Sequence, residues 1–410
     1  MGAPAARVSE LSRHWAHSGH QVTVLTGFPN HPDGVLRPEY REHFRRGVFR
    51  ERLHGIDVVR TWLLPFPNRK AHERILNYSS FCLSAGATGS FLPRPDIVIA
   101  TSPQLLVGLA GRWISKIKNV PFVLEIRDLW PESLAAVGVG GEHSLLHRTL
   151  ARAARFLYRK ADHLVVVSPA FRERLIENWR VPADKITVVQ NGVETDLFNS
   201  RAADGNLRAA LNAQNRFVVS YIGTLGLAQG LETLIAAAEK LQVTAPQVLF
   251  LLVGEGADRE RLMSLAKAKK LTNIEFVPQQ PRESIPAYIC ASDACLVLLK
   301  KSEVFQTVIP SKMLEFMSCG RPVILGVDGQ ARRILETSRC GIYVPPENCH
   351  ALCNAILQLQ RSPGLREELG RNGREYIVQN LSRGRTAAEY LNLLERLLSG
   401  DVRVTQAAAA

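Results

Sequence analysis

Apolar residues fall along this chain in short runs of strand length, separated by longer amphipathic stretches. In the first half the runs are HQVTVLT, IDVVRTW, DIVIAT, PFVLEI, HLVVVS and ITVVQN; in the second they are RFVVSYIG, QVLFLLVG, IEFV, ACLVLL, PVILG and GIYV. β-branched runs alternating with helix-length segments are the pattern of βαβ units. Most of these runs are apolar at nearly every position, which predicts strands covered on both faces, as in a parallel sheet between helix layers. The pattern therefore predicts an α/β protein with one such sheet in each half.

The halves part where the pattern lapses. QNGVE (190–194) closes the first set, residues 199–206 are polar and contain Gly205, and a fresh strand opens near Phe217. This predicts an N-terminal domain over 1–198 and a C-terminal domain over 199–382. A last helix over about 383–400 carries Leu391, Leu394, Leu397 and Leu398 on one side and is predicted to pack back toward the N-terminal domain, leaving 401–410 as a tail. A chain of 410 residues is long enough for two cores. Its 46% hydrophobic and 22% charged content argues against disorder, and no apolar run reaches the length that spans a bilayer.

Charge and cysteine content narrow the picture further. Of the net +13, the first 195 residues hold +9, from 26 Lys or Arg against 17 acids. Such an excess attracts any polyanion and by itself names no partner. The seven cysteines form no CxxC pair and fall in predicted packed elements, which fits a reducing cytoplasm. Cys349, His350 and Cys353 supply too few ligands for a metal site, and no metal is expected.

Ligands of open α/β sheets lie beyond the carboxyl ends of strands, so the strand-to-helix turns hold the candidate chemistry. SYIGTLGLAQGLETLI places Gly223, Thr224, Gly226 and Gly230 between a strand and a helix, where backbone N–H groups can approach a phosphate or can simply make a tight turn. FLLVGEGADRERL puts Gly254 and Glu255 at the end of a buried strand, in a turn able to pass beneath a nucleotide base. VIPSKMLEFMSCGRPVILG starts a helix with Ser311 at or near the N-cap and Lys312 in the first turn, an anion site by dipole and charge together. Glu315 lies one turn on. It can accept two hydrogen bonds from a ribose diol, or be an ordinary solvated helix glutamate.

In the first half, RDLWPES (127–133) follows the strand PFVLEI and sets Arg127 and Asp128 at a carboxyl end. Asp128 has two readings of equal weight: acceptor orientation and hydroxyl-proton handling, or a helix cap paired with Arg127. Asn30 and His31 in GFPNHP also follow a strand. The helix predicted over 143–161 sets Leu146, Leu150, Ala153 and Leu157 on one side and Arg148, Arg152, Arg155 and Arg159 on the other. With Arg37, Arg41, Arg45, Arg46, Arg50 and Arg52 upstream, this predicts a basic surface that either meets anionic lipid or is merely solvated.

The order of a glycine turn after the first strand, VGEG, then P-S-K-x-x-E-x-M-x-x-G-R-P and a strand resembles the retaining GT-B glycosyltransferases that use nucleotide sugars. The resemblance covers nearly the whole chain, including GAPAARVSELSRHWAHSGHQVTVLTGFPNHP, RDLWPES and QNGVE, and is closest to the bacterial cell-surface polysaccharide branch with its L-fucosamine transferases. It implies two Rossmann-like domains facing a cleft and transfer, with retention, of a hexosyl or N-acetylaminosugar group. The implied donor is a nucleotide sugar and the implied acceptor a lipid-linked or other oligosaccharide of O-antigen or capsule, at the inner face of the cytoplasmic membrane. No cofactor, metal or nucleic acid is expected.

The resemblance also assigns residues. Glu315 matches the second glutamate of the E-x7-E motif and would hold the donor ribose, while Thr307 stands at the first. Thr224 and Gln229 stand where Arg and Lys usually meet the diphosphate, which leaves Lys312 and helix N-termini to neutralise it. Asp128, Lys312 and Glu315 are the expected catalytic residues, with Gly2, Asn30, His31 and Arg127 on the acceptor side. The alternatives are a nucleotide-sugar epimerase of the same fold, disfavoured by Thr307, and a non-catalytic basic protein that binds membrane or nucleic acid.

Residues 2–19 have the form of the loop and helix that follow a strand, with Gly2 suited to a phosphate-facing turn and Pro4 to a first helical turn. The expectation is that Met1 is internal to a longer product, and that a strand's width stands open beside the strand containing Val22 to Leu25.

Overall fold

A computed structural model describes residues 3–30, 34–66, 71–102, 104–130, 145–202 and 205–401. The chain divides into two compact units, one formed by Pro4–Gln190 with the chain from Ala387 onward, the other by Asn191–Thr386. The divide falls before the polar segment 199–206, between Gln190 and Asn191. Val193 pairs with Ser382, its N–H reaching Leu381 O at 3.0 Å, and Phe198 is fully buried in the second unit's core. Polar composition thus marks a stretch inside one unit, with short helices at Ser200–Ala202 and Gly205–Ala210, rather than the link between units.

The second unit is a six-stranded, all-parallel sheet built from β8 (Phe217–Ile222), β9 (Val248–Val253), β10 (Ile274–Val277), β11 (Ala294–Leu298), β12 (Val323–Gly326) and β13 (Gly341–Tyr343). The spatial order is β10-β9-β8-β11-β12-β13. Successive residues serve opposite faces, as strand geometry requires. Phe217, Val219 and Tyr221 with Val248, Phe250 and Leu252 form one core beneath helices Glu232–Thr244 and Cys349–Arg361. Val218 and Ile222 with Leu249, Leu251 and Val253 form the other, beneath helices Ser311–Ser318 and Gln330–Ser338. The strand order reverses between β8 and β11, where open α/β sheets leave a crevice at their carboxyl ends.

The first unit holds two sheets. β4 (Val98–Thr101), β5 (Phe122–Ile126), β6 (His163–Val166) and β7 (Ile186–Val188) run parallel in that order. Phe122, Leu124 and Ile126 face a core shared with helices Leu105–Lys118 and Leu145–Lys160. Val123, Val165 and Val189 face Leu11 and Trp15 of helix Ala3–His17 and Tyr390, Leu393, Leu394 and Leu397 of helix Arg383–Ser399. The other sheet orders β1 (Thr23–Gly27), β3 (Ile56–Thr61) and β2 (Val48–Leu53), with β2 antiparallel to β3. β2 departs from the expected all-parallel pattern. Its sequence VFRERL sets three consecutive charged residues between apolar ends and hides no continuous face, so it carries no run to recognise. Among the described residues β1 pairs only with β3 and β4 only with β5. Each sheet therefore keeps an open parallel edge.

Candidate donor and acceptor sites

In the second unit the site grows out of the β8 and β11 carboxyl ends. β8 ends at Gly223, whose φ of +139° admits the chain into a turn that side chains resist. The VGEG turn after β9 rides directly on it. A Cβ at Gly254 would lie 2.1 Å from Gly223 O, and one at Gly256 would lie 2.2 Å from Leu225 O. Leu225 N–H donates to Glu255 O at 2.9 Å and Asp258 N–H to Leu225 O at 2.9 Å, which locks the two turns together. The glycines of VGEG are thus required by close packing of two backbones. Glu255 itself points outward, exposed and 3.5 Å from Arg259.

Lys312 reaches into this turn from the opposite helix. Its Nζ lies 3.0 Å from where a Cβ on Gly223 would stand, and it donates to the Tyr221 hydroxyl at 2.6 Å. That hydroxyl in turn donates to Thr224 O at 2.9 Å. Burial drives the Lys312 ammonium down to about 7 against the weaker support of Glu315, and burial also pushes the Tyr221 phenol well up. The arrangement is a desolvated amine beside glycine backbone, held by a neutral hydroxyl. No salt bridge to Lys312 occurs among the described residues. A polyanion placed at this turn would supply the missing charge.

Glu315, one turn further along helix Ser311–Ser318, accepts from Arg282 Nη1 at 3.1 Å, and the Arg282 guanidinium lies 5.0 Å from the Phe198 ring. The arginine fixes where the carboxylate sits. Pro310, rather than Ser311, occupies the N-cap position, and it makes no side-chain cap; the serine is the first helical residue. Thr307 is buried, its hydroxyl donating to Val304 O at 2.8 Å. Thr224 is exposed at the turn, the Gln229 amide oxygen folds to 2.8 Å from the Cβ position of Gly226, and Gly230 closes the turn at φ +58°. There Lys300, just past β11, donates its N–H to Ala228 O at 2.9 Å and passes its Cγ 3.1 Å from the Gly230 Cβ position. The structure thus brings Gly223, Thr224, Gly254 and Lys312 to one place, with Glu315 a helical turn from Lys312 and Gly230 closing the turn against Lys300.

In the first unit, the β5 end carries Arg127 and Asp128. Arg127 N–H donates to Ser102 Oγ at 2.7 Å. Burial pushes the partly buried Asp128 carboxyl up to about 6 against the lowering pull of Arg127. Below it sits a feature not legible as a motif. Glu125 of β5 is buried and accepts from Arg7 Nε at 3.0 Å and Nη2 at 2.8 Å, and from Thr101 Oγ1 at 2.5 Å. Arg7 also donates to Gln190 O and Val189 O, each at 3.1 Å. Burial raises the Glu125 carboxyl, but Arg7, Arg127 and the hydrogen bonds overcome it and hold the group below its usual range. Asn30 Nδ2 is shielded from solvent with no partner among the described residues. Gly2 and His31 lie outside the described residues.

Tyr221, Arg282, Lys300, Arg7 and Glu125 escape motif reading because each matters through a partner distant in the chain. One signal was present: a lone charged residue in the apolar run PFVLEI marks Glu125 as a buried ion in need of a counter-ion.

Two Rossmann-like units, with a partly buried amine at a glycine turn beside the strand-order reversal of one of them, define a two-domain α/β architecture. The chain matches the glycosyl transferase 4-like domain over residues 2–192 and glycosyl transferases group 1 over residues 204–376, and it belongs to the group 1 glycosyltransferases of GT-B fold. It is 26% identical over 404 residues to WcaI of Escherichia coli K12, a glycosyl transferase named for colanic acid biosynthesis, covering 93% of this chain and 94% of that protein. The fold is similar to that of sucrose-phosphate synthase from Thermosynechococcus elongatus, with TM-score 0.75, 24% identity and coverage of 97% and 94% of the two chains. It is also similar to Anabaena HepE, solved with UDP-glucose, with TM-score 0.69, 18% identity and coverage of 92% and 100%. The class, a glycosyltransferase, is thereby set.

Proposed function

We propose that this glycosyltransferase moves a hexosyl or N-acetylaminosugar group from a nucleotide sugar, with retention, to a hydroxyl of a lipid-linked or other oligosaccharide acceptor in cell-surface polysaccharide synthesis. The observation that carries this reading is the desolvated Lys312 amine against the Gly223 turn, held by the Tyr221 hydroxyl. A donor diphosphate placed there meets Lys312 and the glycine backbone, and Glu315 receives the ribose diol. As the anomeric carbon–oxygen bond breaks, charge builds on the departing diphosphate, where the Lys312 ammonium stabilises it. The acceptor oxygen bonds to the anomeric carbon from the face the diphosphate leaves, and its proton passes to a departing phosphate oxygen. Asp128 orients the acceptor hydroxyl. Lys312 and the turn supply the positive charge, so the reaction proceeds without a metal ion.

Supporting a site of action at the inner face of the cytoplasmic membrane, Arg148, Arg152, Arg155 and Arg159 are all exposed on helix Leu145–Lys160, which contains no carboxylate. Among the described residues no helix is long and apolar enough to cross a membrane, so attachment would be peripheral. The test is release of nucleoside diphosphate from a panel of nucleotide sugars with chelator present. Turnover of one donor, and an anomeric proton coupling in the product that matches the donor's, are expected. Turnover only on adding a divalent metal, or an inverted product, would overturn the corresponding part.

A further inference from the structure

Helix Ala71–Phe91 runs from Ile75 to Phe91 without one charged side chain. A helix of that composition normally hides its apolar side. Here Leu76, Leu83 and Phe91 share a stripe, at spacings of seven and eight residues, and stand in solvent: Leu83 is 76% exposed and Phe91 88%. Helix Leu105–Lys118 packs alongside and adds Trp113, 55% exposed, and Ile117, 49% exposed. The Trp113 indole donates to Ser90 Oγ at 3.2 Å, which joins its ring to the Phe91 end of the stripe.

The rim of this patch is basic. Arg94 donates to Lys118 O and Asn119 O, and Lys118 Nζ to Leu92 O, so two cations are pinned beside Phe91. From Arg74 to Leu124 the sequence carries five Lys or Arg and one acid, Asp96. Helix Leu145–Lys160 packs against the far side of Leu105–Lys118, in the same layer over β4 to β7. Its four arginines point away from the buried Ala154 and Leu157, in a row about 16 Å long from the helical rise.

We propose that this outer face of three helices docks on an anionic lipid bilayer, with Leu83, Phe91, Trp113 and Ile117 entering the headgroup boundary and the arginine row lying along the lipid phosphates. The inference rests on the membrane-surface reading above and assigns it a place. Charge chooses the occupant: exposed apolar and indole groups bordered by more cations than acids match a sheet of anionic headgroups over hydrocarbon.

The test is sedimentation with phosphatidylcholine vesicles with and without phosphatidylglycerol, together with tryptophan quenching by brominated phosphatidylcholine. The protein should bind phosphatidylglycerol vesicles and lose at least tenfold in partition when Leu83→Ser and Phe91→Ser are combined. A similar loss is expected with the four arginines changed to Gln. Bromine should quench a signal that Trp113→Phe removes. Melting temperature and the nucleotide-sugar thermal shift should stay unchanged in these variants, which lie outside the donor site. No sedimentation of the unmodified protein would overturn both this face and the membrane reading. Sedimentation that survives Leu83→Ser with Phe91→Ser, without Trp113 quenching, would reject the face and leave the membrane reading intact. A dimer seen by light scattering and split by those serines would make the surface a self-interface and overturn the proposal.

Discussion

Each unit holds a buried or partly buried ionisable side chain near the carboxyl end of its sheet, and the two are compensated in opposite ways. Glu125 is met by the Arg7 guanidinium and the Thr101 hydroxyl, and the arginine also donates to two backbone carbonyls. Lys312 is met by a phenol and by glycine backbone. A buried charge that finds its counter-charge inside the fold is part of the scaffold. One that finds mainly neutral dipoles and a carboxylate a helical turn away is costly until a ligand arrives. A charge paired inside the fold and a charge left for a ligand look alike as isolated charges in the sequence.

The contrast can be broken most directly at Arg7. Changing Arg7→Met leaves Glu125 buried without its partner and should cost about 3–5 kcal/mol of stability, read as a fall in the urea midpoint. A fall of under a kilocalorie would mean that Glu125 is not a scaffold charge. Lys312→Met should do the reverse, leaving the midpoint equal or higher while turnover falls roughly 100- to 1,000-fold. If Lys312→Met unfolds the protein as Arg7→Met does, the two charges belong to one class. Glu315→Ala should weaken donor binding by about 1.5–3 kcal/mol in calorimetry and leave the fold intact; unchanged affinity would remove Glu315 from the donor site.

Acidity sharpens the same comparison by smaller amounts. Lys312 sits near 7 when folded against an ordinary 10.5. Between those values the unfolded chain holds a proton that the folded chain lacks, so this group makes stability rise with pH across that window. A bound diphosphate favours the ammonium. Donor binding should therefore take up a proton above pH 7, with affinity falling by at most about tenfold per pH unit, an effect absent in Lys312→Met. Calorimetry in buffers of different ionisation enthalpy measures the uptake. Smallest is the limb from Asp128, whose carboxyl sits near 6: kcat/KM should drop below that pH, and Asp128→Asn should flatten the limb. A limb that survives the substitution belongs to another group.

Most of the fold is legible because its strands are short continuous apolar runs; twelve such runs stand in the sequence, and β1 and β3 to β13 fall on them. β2 escapes because half of VFRERL is charged and its pairing partner, not its own composition, makes it a strand. The candidate donor turn is legible for a similar reason, since Gly223, Gly254 and Lys312 sit at strand or helix ends that local sequence announces. Tyr221, Arg282 and Arg7 are not announced. Tyr221 is one more apolar position of β8 until its hydroxyl is seen bridging Lys312 and Thr224, and Arg7 is one more helix cation until Glu125, 118 residues on, is placed beside it.

The last helix carries a consequence for anyone who would take the molecule apart. Its first residues, to Thr386, count with the second unit, and from Ala387 it counts with the first. There Tyr390, Leu393, Leu394 and Leu397 roof Val123, Val165 and Val189, and Trp15 Nε1 donates to Ala387 O at 3.0 Å. A gene fragment stopping at Gln190 would thus strip a wall from its own core. The stretch 191–386 is continuous and can be excised in one piece. Its companion must be stitched, with 387–401 rejoined behind Gln190 through a short linker, before it can be studied alone.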